Sequence, residues 1–392
     1  MSTDADIVRI AFTALVSSAA PADPVRAATA ALAAASRTTA LPAGFGGDVQ
    51  RDAAWLAEEL ASVTPPWPVI QAMAWSAGIP HTTVVPAAMR AAVGGMRTGT
   101  PPVEPGLLMH TLADGRVVVS DVASGCSADA AGIRAGDVVV SMEGEPVERP
   151  VARIIRMYRH PAGTDIPLQV VRNGEPLAVT MRLAPGRQSL VESRMLEGKI
   201  GLVLLRAFTT SEDAERDVTA LVRRAATALR RDGMRGLVVD LRSNPGGNSD
   251  GAAATASALT AGDPMLSSRA PDGTETNVPR TGEPLALGVP MVVLVDDQTS
   301  SSAEMLALAL REHAKARLVG RPTAGALTMP AMMPLRDGFM LMTPGARSLG
   351  PVSRSAQDGN RLAVDVDVES RTPEDFAAGR DGQLDAALAL LR

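Results

Sequence analysis

The run "VDDQTSSSAEMLALALREH" (Val295 to His313) sets three serines in a row between an apolar, strand-like segment and an apolar-periodic helix. Ser301-x-x-Glu304 fits a capping box, in which hydroxyl and carboxylate satisfy the open amides of the first helical turn. A hydroxyl there also faces the positive end of the helix dipole, which favours a developing oxyanion, so the roles of cap and nucleophile are both open to Ser301. A second stretch, "VVDLRSNPGGNSDG", ends an apolar strand in Asp240-Leu241-Arg242 and then opens through Gly246 and Gly247 towards a helix. Glycines there let backbone N–H groups approach a ligand closely, as an oxyanion hole requires, although a purely structural turn uses the same pair. Asp240 and Arg242 are expected to pair with each other or with nearby backbone rather than with substrate.

A serine hydroxyl is a weak nucleophile without a base, and bases are scarce here. There are four histidines (His81, His110, His160 and His313), and only two lysines, Lys199 and Lys315, among 38 basic residues. The histidines lack the HxxxH or HxH spacing of a zinc site. Cys126 is the sole cysteine, which excludes an internal disulfide and any multi-cysteine metal site. It sits in "ASGCSADA", beside nothing resembling a Cys–His pair, and is expected to be structural. His313 is expected at the C-terminus of the serine-capped helix, and His110 and His160 at a surface or a domain junction. No cofactor or metal is implied.

The elements that must position these groups follow from pattern. The 392 residues have room for two or three domains, and 46% hydrophobic content is enough for real cores. Aromatics make up only 2% and the net charge is −5, which argues against nucleic acid or an anionic membrane as partner. No stretch approaches the length of a membrane span, so no membrane insertion is expected. "IAFTALVSSAAPA" has the look of a short signal core, but Asp4 and Asp6 occupy the region that should be positive. A cytoplasmic location is expected, with an exported form left open. Residues 1–100 read as an N-terminal helical region, with apolar residues at helical spacing (Ile7, Ile10, Ala11, Leu15) and breaks at "LPAGFGG" and "TPPWP". Residues 101–187 change to short strands around one helical stretch, "VARIIRMYR". Residues 188–392 alternate strands ("IGLVLLRAF", "GLVVDLRS", "VPMVVLVD", "ARLVG") with helices ("SEDAERDVTALVRRAATALRR", "SDGAAATASALT", "SSAEMLALALREHA"), an α/β core closed by "DGQLDAALALLR". The methionine-rich run "LTMPAMMPLRDGFMLM" fits a substrate groove and core packing equally well.

In the second region, "VASGCSADAAGIRAGDVVVSMEGEPV" resembles a PDZ domain of the bacterial protease-associated type. Gly132 and Gly136 permit tight turns, and Asp137 can tie the turn to the next strand. The resemblance implies addition of a peptide's C-terminal strand to a sheet edge, with Leu107 and Leu108 as peptide contacts. A module that only braces its neighbour is the alternative.

Taken together, strand-D-L-R-x-N-x-G-G, about fifty residues, strand-T-x-S-x-x-E-helix, and then L-V-G-x-x-T-x-G resemble the C-terminal-processing (tail-specific) serine peptidases and their tricorn-type relatives. The resemblance covers nearly the whole chain. It implies a ClpP/crotonase-like ββα spiral core with the N-terminal helical region and the β-rich PDZ-like domain attached. It makes Ser301 the nucleophile, with the amides of Ser302 and of Gly246 or Gly247 as the oxyanion hole. Processing peptidases of this family pair the serine with a lysine, but "PTAGALTMP" puts Ala326 at that place. The tricorn-type branch suggests a replacement: His81 in "SAGIPHTTVVP" as general base, oriented by Asp358, which lies seven residues before Asp365 of "VDVDV". Packing at a domain junction is the other role open to His81. The implied function is a serine endopeptidase acting on polypeptides near their C-termini, with a homo-oligomer left open. Against it stand a catalytically silent homologue that binds peptide C-termini through the PDZ-like domain, and hydrolysis of a small ester or amide.

Overall fold

The structure, a computed structural model, describes residues 103–147, 157–158, 160–185, 189–270, 272–334, 340–355 and 361–392, with short stretches at 83–85, 94–95, 98 and 101. The expected N-terminal helices, His81 and Asp358 lie outside the described residues, as does most of "VARIIRMYR". Two compact units are present. The larger holds residues 91–268, 275–327 and 348–392, and the smaller holds residues 1–90, 269–274 and 328–347.

A short strand, β1 (Thr83–Val85), precedes the β-rich domain. That domain runs through β2 (Leu107–Thr111), β3 (Val117–Val122), α1 (Ser127–Ala130), β4 (Val138–Met142), β5 (Glu145–Pro146), β6 (Asp165–Arg172) and β7 (Glu175–Arg182). Its antiparallel sheet has the order β2-β3-β4-β6-β7. Alternation along β6 buries Ile166, Leu168 and Val170 and exposes Asp165, Pro167 and Gln169, as a sheet with one covered face requires. Asp137 performs its expected tie: it accepts from Arg134 N–H at 2.9 Å and from Arg172 Nε at 2.7 Å.

The α/β core follows: β8 (Val191–Leu196), β9 (Ile200–Leu205), α2 (Val218–Arg231), β10 (Gly236–Asp240), α3 (Ser249–Leu259), β11 (Leu266–Arg269), β12 (Glu275–Val278), β13 (Met291–Val295), α4 (Ser302–Ala314), β14 (Arg317–Gly320), β15 (Thr328–Pro334), β16 (Met340–Leu349), β17 (Val366–Asp367), α5 (Pro373–Ala377) and α6 (Gly382–Leu391). The central sheet is ordered β17-β14-β13-β10-β9-β8. It is parallel except for β8, which is antiparallel to β9. All five residues of β10 and of β13 are buried, the continuous apolar run of strands covered on both faces. One helix starts later than its sequence pattern suggests: α2 begins after Asp217, whose carboxylate caps Ala220 N–H at 2.8 Å, and not at Ser211.

In the smaller unit, β15 and β16 form an antiparallel hairpin and β1 pairs with β16. Of the methionines described there, Met332 is 39% exposed and Met340 and Met342 are half-buried.

Candidate active site

Two turns at the carboxyl ends of β10 and β13 build the site, and one carboxylate knits them together. Buried Asp296, the residue after β13, accepts from Ser243 N–H at 2.9 Å and Ser243 Oγ at 3.1 Å on one side. On the other it accepts from Gln298 N–H at 3.1 Å and Thr299 N–H at 2.9 Å. Thr299 Oγ1 donates to Leu241 O at 2.8 Å, and Ser300 N–H to Asn244 O at 3.0 Å. Burial pushes the Asp296 carboxyl up, but His110 and the Ser243 and Thr299 donors outweigh it and hold the carboxyl below its ordinary range.

Ser301 is the N-cap of α4, with φ 56° and ψ −121°. A residue with a Cβ is strained there, and such strain is characteristic of a nucleophile held on a sharp strand-to-helix turn. Ser301 and Glu304 sit as a capping box, yet only the carboxylate half is a well-formed hydrogen bond. Glu304 Oε2 accepts from Ser301 N–H at 2.9 Å, while the Ser301 hydroxyl makes no cap hydrogen bond. The hydroxyl is therefore not committed to the helix end.

The glycine turn packs directly on this serine. A Cβ on Gly246 would stand 2.8 Å from Ser300 O and 2.9 Å from Ser301 Cβ, and φ is +96°. The Gly246 N–H donates to Asn244 Oδ1 at 2.8 Å, which removes it from the expected oxyanion donors. Gly247 (φ +134°) and Ser302 remain: their N–H groups donate to no other group among the described residues, and the Ser302 hydroxyl ties the two turns by donating to Gly247 O at 3.0 Å. Asn244, fully buried and anchored through Nδ2 to Leu205 O at 2.8 Å, fixes the turn; only its offset of two from Gly246 hinted at this role.

Glu304 is the residue the sequence undervalued. It is fully buried and accepts from Thr323 Oγ1 at 2.5 Å, Gly325 N–H at 2.8 Å and Ala326 N–H at 2.8 Å besides Ser301. Burial outweighs these donors and raises its carboxyl above the ordinary range. Ala326 is 5% exposed, so the position carries a methyl group in a closed environment and its amide is held by Glu304.

The other expectations divide. Asp240 and Arg242 pair with each other at 2.6 Å, as anticipated, and Arg242 also grips Asp381 at 2.8 Å, tying α6 to the end of β10. His110 is not at the surface: it is 5% exposed, with Nδ1 3.5 Å from Asp296 and 3.4 Å from Asp297, a domain junction as the second expectation had it. His160 reaches Glu143 at 2.8 Å. His313 lies in the last turn of α4, as expected, and its Nε2 bonds Pro264 O at 2.8 Å, with the ring packed over Gly262. Cys126 is buried, and burial pushes its thiol up to about 11. Leu107 is committed to the β-rich domain's core, and Leu108 beside it on β2 is half-buried.

A mostly parallel α/β core thus carries the strained serine at the head of α4, with an antiparallel β-rich sheet ahead of it in the chain. Residues 199–369 match peptidase family S41 and residues 105–183 match the PDZ domain. The chain thus carries a stretch similar to peptidase family S41 behind a stretch similar to the PDZ domain. It is 29% identical over 254 residues to a carboxy-terminal-processing protease of Bartonella bacilliformis, covering 63% of this chain and 57% of the relative. It is 28% identical over 230 residues to the carboxy-terminal processing protease CtpA of Bacillus subtilis, covering 57% and 47%. The chain thus spans about half the length of the curated relatives it matches. The fold is shared with a photosystem II D1 C-terminal processing protease, at 22% identity and a TM-score of 0.59 over 95% of this chain and 98% of that one. No helix among the described residues is long and apolar enough to cross a membrane.

Proposed function

We propose that the chain is a serine endopeptidase acting on polypeptides near their C-termini, with Ser301 as nucleophile. The observation that carries this reading is the strained backbone of Ser301 at a helix N-terminus, with a hydroxyl that makes no cap bond and with the Gly247 and Ser302 amides donating to no other group among the described residues. Ser301 Oγ attacks the scissile carbonyl carbon while His81 takes its proton. The two amides hold the oxyanion, and the proton passes to the leaving amine as the C–N bond breaks. Water then releases the acyl group by the same route in reverse. Asp358 orients the His81 ring, and Glu304 positions the nucleophile from behind without touching substrate. Peptide ends reach the site by pairing with β2, the end strand of the PDZ sheet, where Leu108 meets them.

One observation favours a second reading. Ala326 stands where family members carry the lysine base, buried and with its amide already held, so a silent homologue that binds peptide C-termini through the PDZ domain fits the same chain. A fluorophosphonate probe separates the two at neutral pH. The peptidase reading expects labelling of the wild type that is lost in Ser301→Ala and falls at least a hundredfold in His81→Ala. If the wild type stays unlabelled and Ala326→Lys restores labelling, the chain is a binding protein on a peptidase frame and the His81 assignment is wrong.

A further inference from the structure

The larger unit contains a cavity of about 360 Å³ whose lining includes Asp240, Ser243 and Asp296 at the carboxyl ends of β10 and β13, where open α/β sheets bind ligands. Its acidic lining is already engaged. Asp240 and Asp381 hold Arg242 at 2.6 and 2.8 Å, and Asp121 and Glu192 hold Arg206 at 2.5 and 2.9 Å. Asp296 is filled by the donors described above.

Arg371 is different. Its nearest carboxylate, Asp381, is 4.0 Å away and already gripped by Arg242, and its guanidinium stacks 3.8 Å over the Phe376 ring. Among the described residues the guanidinium makes no hydrogen bond, and its Nε is buried. The hydroxyls of Ser370 and Ser120, which also line the cavity, are likewise buried with no partner among the described residues. Buried polar atoms without partners are rare in folded proteins and point to something that fills the space between them. Three donors, one of them cationic, suit an anion. The carboxylates around them disfavour a dianion such as phosphate, and Val118, Leu202 and Leu204 add an apolar wall for an organic body.

We infer that this cavity binds a small organic carboxylate, held by Arg371 with the hydroxyls of Ser120 and Ser370. The carboxylate has two sources, the C-terminus of a short peptide or a free small acid. The site goes beyond the peptidase reading and does not depend on it.

Calorimetry on the intact chain carrying Ser301→Ala removes turnover. The probes are N-acetyl-dialanine with a free carboxylate, the same dipeptide as its C-terminal amide, and propionate. The acid form is expected to bind at least tenfold more tightly than the amide, and Arg371→Gln and Ser370→Ala are each expected to weaken it tenfold or more. Propionate matching the peptide acid assigns the site to free acids, and a tenfold preference for the peptide acid assigns it to peptide ends. Should Arg371→Gln fail to fold, the Ser120→Ala, Ser370→Ala double variant takes its place. No binding of either acid, equal binding of acid and amide, or binding unchanged in the cavity variants but lost in Leu108→Asp overturns the assignment. None of these outcomes bears on probe labelling of Ser301, so this inference and the peptidase reading fail separately.

Discussion

Ser301 carries a Cβ where the backbone favours none, at φ 56° and ψ −121°. Such a conformation costs about 1–3 kcal/mol and persists only where the surroundings over-determine it. Ser301→Gly should therefore raise stability by about 1 kcal/mol in a guanidinium melt while abolishing probe labelling. Ser301→Ala should leave stability almost unchanged, because the hydroxyl makes no cap bond. Asp296 gives the pH prediction. Its carboxyl is held low in the fold, so its stabilisation is present above the unfolded value of about 3.9 and is lost as pH falls through the lower folded value. Denaturation midpoints should be flat from neutral to about pH 5 and fall below about pH 4. Asp296→Asn should cost about 3 kcal/mol at neutral pH and flatten that acid limb.

Among the elements, the glycine turn and the head of α4 interlock without slack. Gly246→Ala places a methyl group against Ser300 O and Ser301 Cβ, both in a fixed turn, at a φ that L residues rarely adopt. A loss of about 3 kcal/mol with loss of probe labelling is expected, measured by chemical denaturation and labelling of the folded fraction. The buried strands and the helices following β10 and β13 were legible because apolar runs bounded by turn residues allow few other readings, and the serine turn was legible from its capping-box spacing. Which glycine amide stays open was not. That depends on Asn244 curling back by two residues, a side-chain choice that the motif N-P-G-G permits but does not dictate. His313 stands in the last turn of α4 as its spacing implies, but its bond to Pro264 O depends on packing over Gly262 that helix position does not reveal.

At the scale of the whole molecule, the β-rich domain and the core meet in charge. Arg206, 1% exposed at the end of β9, reaches Asp121 of β3 and Glu192 of β8. Arg206→Met keeps the buried stem and removes the charge, leaving two partly exposed carboxylates that water can reach. A loss of about 2 kcal/mol is expected, with faster proteolytic cutting in the 184–189 connection. Sequence texture gave no sign of this joint, because its members stand far apart in the chain and only folding makes them neighbours. The double duty of Asp296 has one more consequence. Since the arm bearing the proposed nucleophile with the Ser302 amide and the arm bearing the Gly247 amide hang from one carboxylate, neither can drift while the other holds. Damage near that anchor should extinguish both together, so half-functional intermediates that bind an acyl analogue yet never react with it should be absent among variants of this region.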